Sequence, residues 1–339
     1  MKPRACAACG TRNVGSTGRC AGCGSNLRLD PEVSNLLGEE VGGHLLTKLL
    51  GRGAMGSVYA TGDAESGLAL KVLHPHVAGD ALRVKRFHRE AKAASGLAHS
   101  SIVRLFEFGH DDAHGPFIVM ERLEGENLVE RTTRSALTPL ETVQVFDQVL
   151  SALAHAHEHG IVHRDLKAEN VVVHEGVDGL VAKVCDFGMV KMLNEDGTAI
   201  TAEGLVCGTP EYMSPEQARG EELDARADIY ALGCLLFLVL TGRLPFRGKN
   251  AVDTLGQHLA RPVPSARKAC PERRIPAHLD AVARIAMAKA PSARYQSAGE
   301  MRDAILGADA PDKEKQHGRL FAVLLLALAV MLGWALTRQ

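Results

Sequence analysis

Between Gly42 and Leu73 the apolar residues come in short runs punctuated by glycine: HLLTKLLG, then SVYATG, then LALKVL. Runs of this length and composition, bounded by turn residues, predict β-strands. From about Ala81 the spacing changes. Apolar positions recur at i, i+3, i+4 and i+7 through RFHREAKAA, and again over 139–159, 223–242 and 277–288, which predicts helices. LVAKV, just before Asp186, returns to a strand-like pattern. A β-rich beginning and a helix-rich remainder within one globular stretch, Gly42 to Leu306, predict two lobes with a cleft between them. No internal repeat is visible.

The two ends follow other patterns. Residues 1–25 carry Cys6-Ala-Ala-Cys9-Gly and Cys20-Ala-Gly-Cys23-Gly, separated by a stretch rich in Gly, Ser and Thr. Each Cys-x-x-Cys turn aims two thiolates at one point, and two such turns complete the tetrahedral shell of a structural Zn²⁺ site. A redox pair or a disulfide is the competing reading, and iron is a second candidate ion. So short a segment buries no core, so metal would supply most of its folding energy. The pattern resembles a zinc ribbon. Residues 26–41 read as a linker and 307–318 as a second, charged one. Then RLFAVLLLALAVMLGWALTRQ runs from Arg319 without a charge until Arg338. Seventeen or eighteen strongly apolar residues reach about 26 Å as a helix, the short end of what crosses a bilayer core. Trp334 stands where an interfacial aromatic belongs, and Lys313, Lys315 and Arg319 place the large domain in the cytoplasm. A buried core helix or an oligomerising tail is the alternative. The reading is a single-pass helix, 319–338, in the inner (cytoplasmic) membrane, with no sensor domain beyond it.

Composition narrows the function. Of 339 residues, 46% are hydrophobic and the formal net charge is −1, so no broad basic field exists to hold nucleic acid, and no nucleic-acid partner is expected. The 15 histidines are scattered: His74, His76, His88, His99, His110 and His114 show no metal-ligand spacing and read as surface or packing residues. Four of the eight cysteines lie singly, at 185, 207, 234 and 270. The polar, cysteine-rich start has no signal-peptide pattern, which points to a reducing compartment.

The chemistry gathers around HRDLKAEN, residues 163–170. Upstream, GRGAMGSVY places Gly51, Gly53 and Gly56 between two strand-like runs, where the backbone can approach phosphate oxygens. Lys71, flanked by Leu70 and Val72, requires a partner anion, and Glu90 in the following helix can supply one. Downstream, Asp186 in VCDFG can hold Mg²⁺ against a triphosphate, with Asn170 taking a second ion. Asp165 would orient or accept the proton of an attacking hydroxyl, and Lys167 would stabilise charge on the transferred group.

This ordered set, with Ser214-Pro-Glu216 after it, resembles the eukaryotic-type (Hanks-type) protein kinases, and within them the bacterial serine/threonine kinases. The resemblance implies an α+β bilobal fold. Its N-lobe, about 42–120, would have a five-stranded antiparallel sheet and one key helix; its helical C-lobe would run from about 124 to 306. It implies ATP with Mg²⁺, or Mn²⁺ in its place, as cofactors, and proteins with Ser or Thr acceptors as substrates. Leu50, Gly51, Gly53, Gly56, Val58 and Ala69 would surround the nucleotide with Lys71. Met120 would be the gatekeeper, with Glu121 to Leu123 offering backbone hydrogen bonds to adenine. Lys167 with Thr209 resembles the serine/threonine-directed pattern. Glu216 would pair with Arg294, and Asp228 would brace the catalytic loop. Ala168, Ser214 and LALK depart from the usual family residues, yet none touches phosphate, metal or proton. Intact Lys71, Asp165, Asn170 and Asp186 weigh against the alternative of a pseudokinase scaffold. Arg164 is a ready partner for an activation-segment phosphate, with Thr201 first and Thr198 second as acceptors and a homodimer for trans-autophosphorylation.

Overall fold

The computed structural model describes residues 36–53, 55–62, 67–79, 81–187 and 208–307, with two short strands, β1 (Arg4–Ala5) and β2 (Arg12–Asn13), that pair antiparallel. Cys6, Cys9, Cys20 and Cys23, Thr198 and Thr201, and the apolar stretch 319–338 lie outside the described residues. Among the described residues no helix is long and apolar enough to cross a membrane, and no cluster of His, Cys, Asp or Glu could hold a metal ion.

The first lobe contains β3 (Glu40–Val41), β4 (His44–Arg52), β5 (Gly56–Thr61), β6 (Leu68–Leu73), α1 (Pro75–Ala78), α2 (Ala81–Ser95), β7 (Leu105–Asp111) and β8 (Gly115–Glu121). The strands form one antiparallel sheet in the order β3-β4-β5-β6-β8-β7. It has six strands where five were expected, because Glu40–Val41 adds a short edge strand. Both faces of the sheet are covered. Tyr59, Leu70, Val72, Phe117 and Val119 pack on one side with Val41 and Leu46; Ala69, Leu73, Ile118 and Met120 pack on the other with Phe87 and Ala91 of α2. Two-sided burial explains why LALKVL reads as an unbroken apolar run rather than an alternating one. Period-2 geometry then puts Lys71 on the α2 side, beside Ala69 and Leu73.

The second lobe comprises β9 (Glu126–Asn127), α3 (Leu128–Arg134), α4 (Pro139–Glu158), β10 (Val171–Gly176), β11 (Gly179–Val184), α5 (Pro215–Arg219), α6 (Arg226–Thr241), α7 (Ala251–Ala260), α8 (Ala266–Ala269), α9 (Ala277–Ala286) and α10 (Ala298–Leu306). The helix starts are written locally. Thr138 and Glu141 form a capping box ahead of α4 with Pro139 at its first position, and Ser214 with Gln217 does the same for α5. Helix α6 is the axis of the lobe: all its residues except Arg226 and Leu238 are buried. It is apolar nearly all round, as a central helix must be. Gly233 permits its close approach to α9, since a Cβ there would sit 2.8 Å from the Ala286 Cβ.

Two polar anchors hold this lobe. Arg294, with a side chain 0% exposed, makes a bidentate pair with Glu216 at 2.6 and 2.8 Å and also donates to the carbonyls of Ala288, Arg226 and Lys289. Asp228 near the start of α6 accepts the backbone N–H groups of His163 and Arg164, each at 2.8 Å, and bonds the His157 ring at 2.8 Å. The two pairings expected from sequence are both present. The three-stranded sheet β11-β10-β9 forms the floor of the cleft, with Leu180, Ala182 and Val184 turned into the lower core.

Candidate active site

The roof of the cleft is the β4–β5 hairpin. Gly51 pairs with Val58 across it, and the Gly53 N–H bonds the Gly56 carbonyl at 2.9 Å, closing a tight turn. Gly56 has a steric reason to be glycine, because a Cβ there would lie 2.2 Å from the carbonyl oxygen of Val72. The hairpin is also tied to the far end of β6: the His74 N–H bonds the Met55 carbonyl at 2.8 Å, and the His74 ring meets the Ser57 hydroxyl at 3.1 Å. Val58 faces Lys71 across the β5–β6 ladder, and Ala69 faces Met120 across the β6–β8 ladder.

Behind the roof a cavity is lined by Lys71, Ala94, Leu105, Met120, Asp186 and Phe187, among others. Three residues singled out from sequence therefore converge on one space. Leu50, Val58 and Ala69 stand outside that lining, and Leu50 is 43% exposed.

Lys71 departs from expectation. Its side chain is 8% exposed, and its ammonium lies 2.6 Å from the Asp186 carboxylate. Glu90 instead pairs with its neighbour Arg89 at 3.1 Å, and among the described residues no Lys71–Glu90 ion pair forms. The reason is positional: β11 brings a carboxylate directly under Lys71, whereas α2 leaves Glu90 beside the exposed guanidinium of Arg89. Burial alone would raise the Asp186 pKa, but the Lys71 ammonium outweighs it, with help from His163 and Lys167, and holds the carboxyl below its ordinary value. The group stays ionised at neutral pH. Next to it, burial and then the Asp186 charge push the Cys185 thiol up to about 12, so it is no nucleophile.

The catalytic loop is built from strained backbone held by buried partners. Arg164 and Asp186 both adopt positive φ, 68° and 61°, a region non-glycine residues rarely enter. Asp228 fixes the Arg164 N–H while Gln217 of α5 donates to the Arg164 carbonyl at 2.8 Å. His163 is wholly buried; its Nε2–H donates to the Cys185 carbonyl at 2.9 Å and its ring packs on Phe187 at 4.8 Å between centroids. These supports present a compact triad. The Thr209 hydroxyl donates to Asp165 Oδ1 at 3.1 Å, Lys167 Nζ lies 3.0 Å from Asp165 Oδ2, and the same Nζ is 3.1 Å from the Thr209 oxygen. Burial opposes charge on Lys167, yet the Asp165 carboxylate more than compensates and raises its pKa.

Asn170 donates from Nδ2 to the Asp165 carbonyl at 2.9 Å, which leaves Oδ1 as the side-chain atom able to act as a ligand. The Cys185 N–H bonds the Asn170 carbonyl at 2.9 Å, which sets Asn170 beside the Asp186 turn. One ionised carboxylate and one amide oxygen at the mouth of the cleft are hard oxygen donors, and they fit Mg²⁺ sharing its shell with phosphates. In the connector between lobes the N–H of Glu121 is taken by the Arg104 carbonyl and that of Arg122 by the Gly67 carbonyl. Among the described residues the Leu123 N–H has no such partner, so of the three N–H groups in this stretch only that of Leu123 is open to a base, while backbone carbonyls remain as the other means of hydrogen bonding.

Sequence reasoning missed Gln217, His157 and Lys183 as supports of the site. Gln217 and His157 carry no local signal, since both act across more than fifty residues. Lys183 did carry one, as a lone cation inside the apolar run LVAKV.

Residues 45–302 match the family model described as protein kinase domain. The serine/threonine-protein kinase pkn3 of Myxococcus xanthus is 38% identical over 294 residues, covering 85% of this chain and 53% of the relative. A probable serine/threonine-protein kinase PknB of Corynebacterium glutamicum is 40% identical over 266 residues, covering 76% of this chain and 40% of its own length. The chain thus spans about half the length of the curated relatives it matches. Among solved structures, a double mutant of the kinase domain of Mycobacterium tuberculosis PknI superimposes with a TM-score of 0.63 at 27% identity, over 80% of this chain and 97% of that one.

Proposed function

Since the chain belongs to the protein kinase domain family, we propose that it transfers the γ-phosphoryl group of ATP to serine and threonine hydroxyls of proteins. The observation that carries this reading is the Asp165–Lys167–Thr209 triad set below the Lys71–Asp186 pair, a proton acceptor and two cations around one point. Mg²⁺, held by Asp186 and Asn170, would neutralise charge on the phosphates. Asp165 orients the acceptor hydroxyl and takes its proton, the Lys167 ammonium stabilises charge growing on the transferred group, and Leu123 offers its N–H to the base. Lys71 turns from Asp186 towards phosphate oxygens, and an inward rotation of α2 would let Glu90 replace the lost carboxylate partner.

The activation segment is read as a self-substrate, modified in trans between two copies of the chain, with Thr201 the principal site, Thr198 the second, and Arg164 the partner of the phosphate. Purified protein given Mg²⁺ and ATP is expected to label itself on threonine, faster at higher protein concentration, with mass spectrometry placing phosphate on Thr201. Absence of any labelling, of itself or of protein substrates, rejects the reading.

The rest of the chain is proposed from its sequence pattern. Cys6, Cys9, Cys20 and Cys23 form a zinc ribbon, and 319–338 anchors the kinase domain to the inner face of the cytoplasmic membrane. Stoichiometric zinc that is lost with Cys6→Ser, and release to the soluble fraction on deleting 319–338, are the expected results; zinc-free protein or unchanged partition would remove each assignment.

A further inference from the structure

Strand β11 alternates. Leu180, Ala182 and Val184 are buried in the lower core, so Lys183 is thrown to the opposite face, the one on which the connector between the lobes is laid. There its Nζ lies 2.6 and 2.8 Å from the two carboxylate oxygens of Glu121, the last residue of β8. Glu121 is a junction. Its N–H bonds the Arg104 carbonyl at 2.9 Å, and its Oε2 accepts the Arg104 N–H at 3.4 Å. Two residues further on is Leu123, whose N–H faces no other partner among the described residues.

In the other direction Lys183 is three residues from Asp186. Between them Val184 is strapped on both sides: the Val103 N–H bonds its carbonyl and its own N–H bonds the Ser101 carbonyl, each at 2.9 Å. Lys183 therefore stands in a short, doubly fixed piece of chain that ends at the proposed metal carboxylate. Glu121 stands in another that ends at the proposed base-binding N–H. The Lys183–Glu121 ion pair joins the two pieces across the lobes. Its side chains are 21% and 30% exposed, withdrawn enough from water for the pairing to resist screening better than a rim pair would.

We propose that the Lys183–Glu121 pair is a positioning latch, holding the connector in register with the Asp186 turn so that the two ends of ATP–Mg²⁺ are met together. It rests on the reading of the cleft as an ATP site. A purely structural lysine would do something else: its stem would cover the sheet and its charge would be idle.

Lys183→Met keeps that stem and removes the charge. In the full chain it is expected to raise both KM for ATP and the Kd for ATP–Mg²⁺ about three- to tenfold, with kcat within about twofold. Lys183→Arg should restore both constants, and Glu121→Gln should add nothing to Lys183→Met, as members of one pair behave in a double-mutant cycle. KM and Kd unchanged in Lys183→Met would overturn the latch, as would a fall in kcat without a change in Kd. Wild-type protein that binds no ATP–Mg²⁺ would instead overturn the proposed function, so the two failures are distinguishable.

Discussion

Asp165→Asn is expected to lower phosphoryl transfer by about 10²- to 10⁴-fold while leaving ATP affinity and the fold nearly unchanged. The substitution conserves size, and an amide can still accept from Thr209 through its oxygen. What it loses is the ability to take a proton and the charge that pairs with Lys167, 3.0 Å away. Nothing else nearby substitutes for it. Lys167 and Asn170 have no basic site at neutral pH, and the Asp186 carboxylate is already engaged by Lys71 at 2.6 Å. The loop itself should survive, because its backbone is held from elsewhere by Asp228 and Gln217. The measurement is a steady-state rate on a protein substrate beside a nucleotide titration, and comparison of the phosphoproteomes of wild type and variant would name the substrates. A rate within tenfold of wild type would show that Asp165 is not the proton acceptor.

Arg294→Met is expected to destabilise the protein by about 3–5 kcal/mol, the cost of leaving one member of a buried ion pair alone. Glu216 would remain as a buried carboxylate without its bidentate partner, and the carbonyls of Ala288, Arg226 and Lys289 would lose a common donor. The same pair governs acid stability. Burial tends to raise the Glu216 pKa, but Arg294 overrides it and holds the group below its ordinary value, 4.5. Because the folded pKa is depressed, the contribution is complete above the unfolded value and is lost as pH falls below about 4.5 through the folded one. Urea melts of wild type and Arg294→Met at neutral pH measure the first effect. Wild-type melts repeated from pH 6 downward measure the second, and a midpoint that rises on acidification would contradict the sign.

Much of this protein is legible one segment at a time. The strand runs before Leu73, the helices over 139–159 and 223–242, and the positions of Lys71, Asp165, Asn170 and Asp186 follow from local periodicity and motif order. Each is decided by residues a few positions apart. Burial on both sides of β6 and around α6 was less legible, because an apolar run does not say how many faces it covers.

The order of amino acids was enough to establish the two-lobed plan and the succession of the site's parts, and it named the residues proposed to hold phosphate, metal and proton. Who pairs with whom was settled only in the packed fold: Lys71 with Asp186 rather than Glu90, Lys183 with Glu121, Gln217 with the Arg164 carbonyl. So was the positive φ of Arg164 and Asp186, which no local pattern announces. The reason is one of range. Periodicity and capping act within a turn or two of chain, whereas a charged side chain several ångströms long chooses its partner by where whole helices and strands come to rest.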